Sequence, residues 1–266
     1  MNNITASAKI KFFNWHLAGG PELRPASWTI ALHFDDPGIY GDQNEIDTGY
    51  DPNYVRKDVT WSAPVSFDNG TSICINNEDL TWTAGVGASF DVVGLSIKDE
   101  NGEAIAWGLF SEKTTVVEGE IFRIYADSIL VVIDEKCRIL RERLLLYLFT
   151  NATMVQALSV VAALHTGDPG SDGADNEVQT SQDSSYVHKQ VIFSVASEFA
   201  GTGKVKLSSD WASWTPAANS PGYTVTWTSY KDGANGDCLA IAPRLKEMVM
   251  AAGVPSPGTT GEILAY

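Results

Sequence analysis

The sequence predicts a mainly β protein: two tandem antiparallel β-sandwich domains, each preceded by a short amphipathic helix. Two observations carry that expectation. The stretch ALHFDDPGIYGDQNEI, starting at Ala31, returns as ALHTGDPGSDGADNEV, starting at Ala163, 132 positions later and without a gap. Short runs of alternating apolar and polar residues follow in both halves, separated by turn residues at roughly the 8–12-residue spacing of a sandwich or barrel. An active site needs to be written only once, whereas a building block can be written twice.

Shifted by 132, Ala31 to Ser62 falls on Ala163 to Ser194 with 16 of 32 positions identical. Tyr54-Val55 falls on Tyr186-Val187, Lys57 on Lys189, Trp82-Thr83 on Trp214-Thr215, and KIKFFNWHL on RERLLLYLF. The frame then slips. KDENGEAIA from Lys98 matches KDGANGDCLAIA from Lys231, and Gly119-Glu120-Ile121 answers Gly261-Glu262-Ile263. The copies are expected to span 1–134 and 135–266, with the boundary near Asp134 to Lys136.

Each copy opens with a helix. Ile10, Phe13 and Leu17 recur at helical spacing, as do Leu144, Tyr147 and Leu148 over about 135–149. Gly19-Gly20-Pro21 stops the first helix and Thr150-Asn151 the second. A β-branched or apolar run follows (SWTIALHF, LSVVAALHT) and ends at Asp-Pro-Gly, where Pro presets φ and Gly accepts the positive φ that a turn often needs. YVRKDVTWS and YVHKQVIFS then alternate as strands, and DENGEA and DGANGD read as hairpin turns. Near the end, PRLKEMVMAAGVPSPG carries Leu245, Met248 and Val249 at helical spacing, which predicts a helix inserted near 244–252. GEILAY lacks a counterpart of Ser128 to Asp134, so the second copy is expected to have a shortened C-terminal edge.

Composition narrows the function. A net charge of −15 argues against a nucleic-acid partner, whose phosphates require clustered Lys and Arg. Cys74, Cys137 and Cys238 show no CxxC spacing and read as reduced packing residues. The N-terminus lacks the pattern of a secretory signal, and the longest apolar stretch is interrupted before it could span a bilayer, so no membrane partner is expected. Neither a cofactor nor a metal is expected. The acidic loops holding Asp35, Asp36, Asp42 and Glu45, and Asp168, Asp172, Asp175 and Glu177, offer oxygen ligands for Ca²⁺, but not at EF-hand spacing. A pair such as Asp35 and Asp36 would be an unusual glycosidase site, duplicated on short loops without another convergent acid or base. His33 and His165 stand at strand ends with no nucleophile motif beside them and read as packed side chains. The chain reads as a non-enzyme.

The remaining candidates are contact residues. Asp36, Pro37, Gly38, Gly41 and Glu45, with Asp168, Pro169, Gly170, Gly173 and Glu177, form the repeated structural turn. Trp211 and Trp214 lie in a polar stretch and are expected to be an exposed pair for a glycan or partner. Arg138, Arg141 and Arg143 offer a basic helix face that would dock an acidic partner.

The pattern of helix, "ALH" strand, DPG–G–NE loop, "YV" strand and Asn-Gly hairpin resembles the small β-sandwich virion proteins of tailed bacteriophages, of tail-fibre or decoration type. Its carriers are Leu164, Asp168, Pro169, Gly170, Gly173, Glu177, Val178, Tyr186, Val187 and Phe193. Their first-copy equivalents are Leu32, Asp36, Pro37, Gly38, Gly41, Glu45, Ile46, Tyr54, Val55 and Trp61. The resemblance implies a virion structural protein, partnered by major capsid or tail proteins. The absence of a coiled-coil shaft favours a capsid decoration (cement) protein, with a short tail fibre contacting host glycan as the alternative. A homotrimer is expected, its six similar domains set in a pseudo-sixfold ring.

Overall fold

The computed structural model describes residues 3–66, 71–133, 137–202, 204–211, 213–256 and 261–265, with the backbone alone at 66, 208, 209, 211, 245–247 and 261–265. The boundary expected at Asp134 to Lys136 lies outside the described residues. The first copy contains β1 (Asn3–Ile4), α1 (Ala6–His16), β2 (Trp28–His33), β3 (Lys57–Val59), β4 (Val65–Ser66), β5 (Ser72–Ile75), β6 (Leu80–Thr83), β7 (Ser89–Asp99), β8 (Ala104–Val117), β9 (Ile121–Ile124) and β10 (Leu130–Ile133). The second contains α2 (Arg138–Phe149), β11 (Val160–His165), β12 (Lys189–Phe193), β13 (Ser197–Glu198), β14 (Val205–Trp211), β15 (Tyr223–Asp232), β16 (Cys238–Met250) and β17 (Gly261–Ala265).

Every described pairing between these strands is antiparallel. The first copy has a sheet in the order β1-β8-β7-β2-β3, a smaller one in the order β10-β5-β4, and the pair β6-β9. The second has one sheet in the order β13-β14-β12-β11-β15-β16, with β17 on β14. The difference is local. Phe193 pairs with Ser209 within the β12–β14 ladder, whereas its first-copy equivalent Trp61 makes only an isolated bridge to Asn76. The long hairpin is duplicated with its irregularity. The β7–β8 register shifts between Val92 and Gly94, and the β15–β16 register shifts at the corresponding Val225 and Trp227.

Two expectations for the second copy are corrected. Residues 244–252 form no helix, because Arg244 to Met250 continue β16 along β15, with Val225 opposite Met248 and Tyr223 opposite Met250. Met248 and Met250 are buried while Val249 between them is exposed, a period of two that the helix-forming residues Leu245, Lys246 and Glu247 obscure. Pro243 is accommodated because β16 is at the sheet edge and Pro243 sits beside the register shift. The C-terminal edge is also complete. β17 lies on β14 with Ala265 opposite Val205, just as β10 lies on β5 with Ile133 opposite Ser72. Gly261-Glu262-Ile263 therefore corresponds to the last strand of the first copy and not to Gly119-Glu120-Ile121.

Among the described residues, the β6–β9 pair is where the second copy departs from the first. Gly119 N–H donates to Ala84 O at 3.0 Å, and Gly253 N–H donates to Pro216 O at 3.0 Å in the equivalent place. Ala84 N–H returns a bond to Glu120 O at 2.9 Å, but Pro216 has no N–H to return. Pro255 removes another donor from the facing segment. Among the described residues the ladder is carried by Trp214 and Ser256, joined by Ser256 N–H to Trp214 O at 2.7 Å and Trp214 N–H to Ser256 Oγ at 3.0 Å.

The helices are starting points of each copy and also the joint between the two. Thr5 caps α1 by accepting from Ala8 N–H at 3.3 Å, and Cys137 occupies the same position on α2. α1 packs on β8 of its own copy and on β13 and β14 of the other, whereas α2 packs on β16 of its own copy and on β5 of the other. Since β5 and β14 are equivalent, as are β8 and β16, the packing is reciprocal. One apolar core runs through both copies and includes Phe12, Phe13, Trp15, Leu144, Leu145 and Tyr147. A helix clamped this way buries most of its circumference, so the single solvated face expected on α2 is absent and Arg141 is buried. Among the described residues no helix is long and apolar enough to cross a membrane.

Candidate functional site

The repeated turn is a polar clamp, built twice. β2 and β11 each end in a buried histidine. His33 Nδ1 meets Gln43 O at 2.6 Å and its Nε2 meets Ser96 Oγ at 2.8 Å; for His165 the partners are Asp175 O at 2.7 Å and Ser229 Oγ at 2.8 Å. A carbonyl can only accept, so Nδ1 carries the proton, while the serine hydroxyl at Nε2 can donate to a neutral ring. Burial favours the neutral form of both rings and holds their pKa values below the usual histidine range.

Asp36 and Asp168 bond to the loop itself, and the glutamates tie it to neighbouring strands. Asp36 Oδ1 accepts from Gly38 N–H at 2.8 Å and Asp168 Oδ1 from Gly170 N–H at 2.9 Å, each closing an Asx turn around its proline. Asn44 and Asn176 adopt φ of 56° and 52°, where asparagine is tolerated, and each donates Nδ2–H to Asp36 O or Asp168 O at 2.8 Å. Glu45 accepts from Arg56 at 2.7 and 2.9 Å and pairs with Lys98 at 3.1 Å. Glu177 accepts from His188 at 2.6 Å and pairs with Lys231. Behind each loop a tyrosine hydroxyl accepts from the strand, Tyr54 from Leu32 N–H at 2.8 Å and Tyr186 from Leu164 N–H at 2.9 Å. These carboxylates hold the chain in shape. Among the described residues, no three His, Cys, Asp or Glu side chains converge as a metal site.

The expected contact residues are not where exposure alone would put them. Trp214 is buried, its Nε1–H donating to Val187 O at 2.9 Å, just as Trp82 Nε1–H donates to Val55 O at 2.9 Å. It is a duplicated core residue and not half of an exposed pair. Trp211 lies in β14 opposite Val191, and its side chain is outside the described residues. The three arginines do not form one open patch either. Arg141 is buried, Arg138 binds Asp172 at 2.9 Å and Glu142 at 3.1 Å, and Arg143 approaches Asp237 at 3.9 Å.

The sequence reading missed a cleft of about 450 Å³ where β8, β9 and β10 of the first copy meet. Phe110 and Phe122 pack edge to face at 6.0 Å on its wall, and the Arg123 guanidinium lies 5.7 Å from the centre of the Tyr125 ring. Leu109 and Tyr125 are 51% and 61% exposed, and Glu112 adds a negative charge. In the second copy Arg244 replaces Phe110 and Ser256 replaces Phe122, so the cleft's aromatic wall is not duplicated. Strand periodicity gave no signal for the cleft, because Phe122 and Tyr125 of FRIY are three residues apart and alternation alone would put them on opposite faces.

A family model described as podophage GP4 fiber I protein gp80 matches the chain twice, over residues 3–132 and 136–250. No curated protein sequence matches it.

Proposed function

The chain belongs to the podophage GP4 fiber I protein gp80 family, and on that premise we propose that it is a non-enzymatic, fibre-type structural subunit of the phage tail. The family makes it a bacteriophage virion protein. The observation that carries the finer reading is the double match, because both halves answer to a fibre protein and the duplicated residues are structural. Capsid decoration is the competing position, favoured by a compact chain without a shaft. Quantifying the protein against the major capsid protein in purified virions separates the two. A small fixed number of copies per particle fits a tail position, and a number approaching that of the capsid protein overturns it in favour of decoration.

The partners follow from that position: other tail proteins, further copies of the chain and, as a second reading, a host-surface glycan. The cleft at Phe110, Phe122 and Tyr125 favours the glycan contact, since sugars stack on aromatic faces and hydrogen-bond to flanking charged groups. Phe122→Ala and Tyr125→Ala variants that still bind host cells with wild-type affinity would remove this reading. A homotrimer remains the proposed assembly. Reciprocal packing relates the two copies as a pseudo-dimer, so three chains would combine a threefold axis with pseudo-twofold axes in place of a pseudo-sixfold ring. Sedimentation of the purified protein as a monomer or a dimer would contradict the trimer.

A further inference from the structure

Cys137 is the N-cap of α2, and its Sγ lies 3.6 Å from Sγ of Cys238 at the start of β16. Both thiols are buried. The first copy shows which part of this arrangement the fold requires. There Thr5 caps the helix and its Oγ1–H donates to Ala104 O at 2.7 Å, while Cys137 Sγ makes the matching contact to Cys238 O at 3.1 Å. A hydrogen-bonding group at the cap is therefore needed, and alanine suffices opposite it. The second sulfur has no role in the fold that its counterpart Ala104 shares. It is also tightly placed, because Gly173 of the polar clamp lies so close that a Cβ there would overlap Cys238 Sγ.

We propose that Cys137 and Cys238 are an oxidisable pair whose disulfide fastens the helix joining the two copies to the hairpin of the second sheet. A disulfide brings sulfurs to about 2.05 Å, so they must approach by about 1.5 Å from where they stand. In the reaction both S–H bonds break and one S–S bond forms. Two protons and two electrons pass to an oxidant of the small-disulfide class; with glutathione disulfide, its S–S bond breaks and two glutathione thiols leave. Cys137 is the attacking sulfur. The hydrogen bond from Cys238 and the N–H groups of Ile139 and Leu140 at the helix start lower its pKa, while that of Cys238 is raised. Cys74 in β5, pushed up to about 12 by burial, serves as an internal reference. The proposal is independent of where the protein sits on the virion.

The full chain, reduced and desalted, is exposed to glutathione disulfide, then denatured and alkylated with iodoacetamide. All three cysteines are expected to be alkylated before exposure and Cys74 alone afterwards, with a linked Cys137–Cys238 peptide in the non-reducing digest. Cys137→Thr, which removes the attacking sulfur, should leave two alkylatable thiols before and after, whereas Cys238→Ala, which removes the resolving sulfur, should leave two before and Cys74 alone after, with glutathione trapped on Cys137. The thermal midpoint should rise on oxidation in the wild type and stay fixed in Cys137→Thr. In the wild type, three free thiols after exposure, a glutathione adduct without the linked peptide, or a linked form with an unchanged midpoint would each overturn the proposal.

Discussion

The Trp15 indole stacks on the Tyr147 ring with centroids 5.2 Å apart and planes inclined at 30°. These residues are 132 positions apart, so each is the other's equivalent in the repeat. When a residue meets its own counterpart, the interface is isologous, and the contact marks the pseudo-twofold axis. Neighbouring bonds follow the same rule. Leu23 N–H donates to Tyr147 Oη at 2.9 Å, and Gln156, next to the equivalent of Leu23, donates its side-chain amide to Trp15 O. The two copies thus meet as a pseudo-dimer whose interface is part of the common core.

Trp15→Ala and Tyr147→Ala should each cost about 3–5 kcal/mol, the range for deleting a buried aromatic. The double variant should lose clearly less than the sum, because the first deletion already removes the shared stack. Urea denaturation of the four proteins checks this. Strict additivity would mean that the two rings contribute through separate surroundings and not through each other.

His33→Ala and His165→Ala should be destabilising by similar amounts, about 2–4 kcal/mol, since each deletes two hydrogen bonds and strands a carbonyl and a serine hydroxyl. The two clamps share no partner, so the double variant should lose the sum. Unequal losses in denaturant midpoints would show that equal geometry does not mean equal load in the two copies.

The sequence made the repeat, the helix starts and the loop legible because each rests on local chemistry: Asp-Pro-Gly closes its own turn, and the His33 and His165 positions align without a gap. It misplaced what depends on distant partners. Residues 244–250 have helical composition, and only the ladder offered by β15 decides that they extend. Trp214 sits among polar neighbours in sequence, yet its burial comes from Val187 and the sheet behind it. β17 was matched to Gly119-Glu120-Ile121 on three letters, while its pairing with β14 assigns it to the final edge. The aromatic cleft needed β8, β9 and β10 brought together before it existed as a surface.

Acid should unfold the protein in two stages. Burial lowers the pKa values of His33, His165 and His16, the last to about 3, with the Arg143 charge adding to the effect on His16. The unfolded chain binds these protons first, so stability is full above about pH 6.5 and falls as pH drops from there towards the folded values. Burial pushes Glu177 up, but His188 and Lys231 outweigh it and hold its carboxyl at about 2. Its contribution is present above about pH 4.5 and is lost only below that. His16→Leu, which copies Leu148 at the equivalent position, should flatten the upper stage and leave the lower one. Denaturant midpoints across the two windows, with an unchanged upper slope in His16→Leu, would count against a neutral buried His16.

Gly41 and Gly173 occupy the same turn position, with φ of 69° and 66°, so alanine at either carries the left-handed penalty of about 1–2 kcal/mol. The surroundings separate them. A Cβ at Gly41 would touch Trp107 Cδ1 at 3.0 Å and the small Ala104 Cβ at 3.1 Å. A Cβ at Gly173 would overlap Cys238 Sγ, with Ser229 Cβ at 3.4 Å behind it. Overpacking a buried corner adds about 1–3 kcal/mol. Gly173→Ala should therefore be the more damaging change, by that margin. Placing it in a Cys238→Ala background, which restores the first copy's Ala104 at that corner, should bring its cost down towards that of Gly41→Ala. Equal costs for the two glycines in the wild-type background would mean that backbone strain dominates and that the sulfur yields without penalty, since the turn conformation is the one feature both sites share.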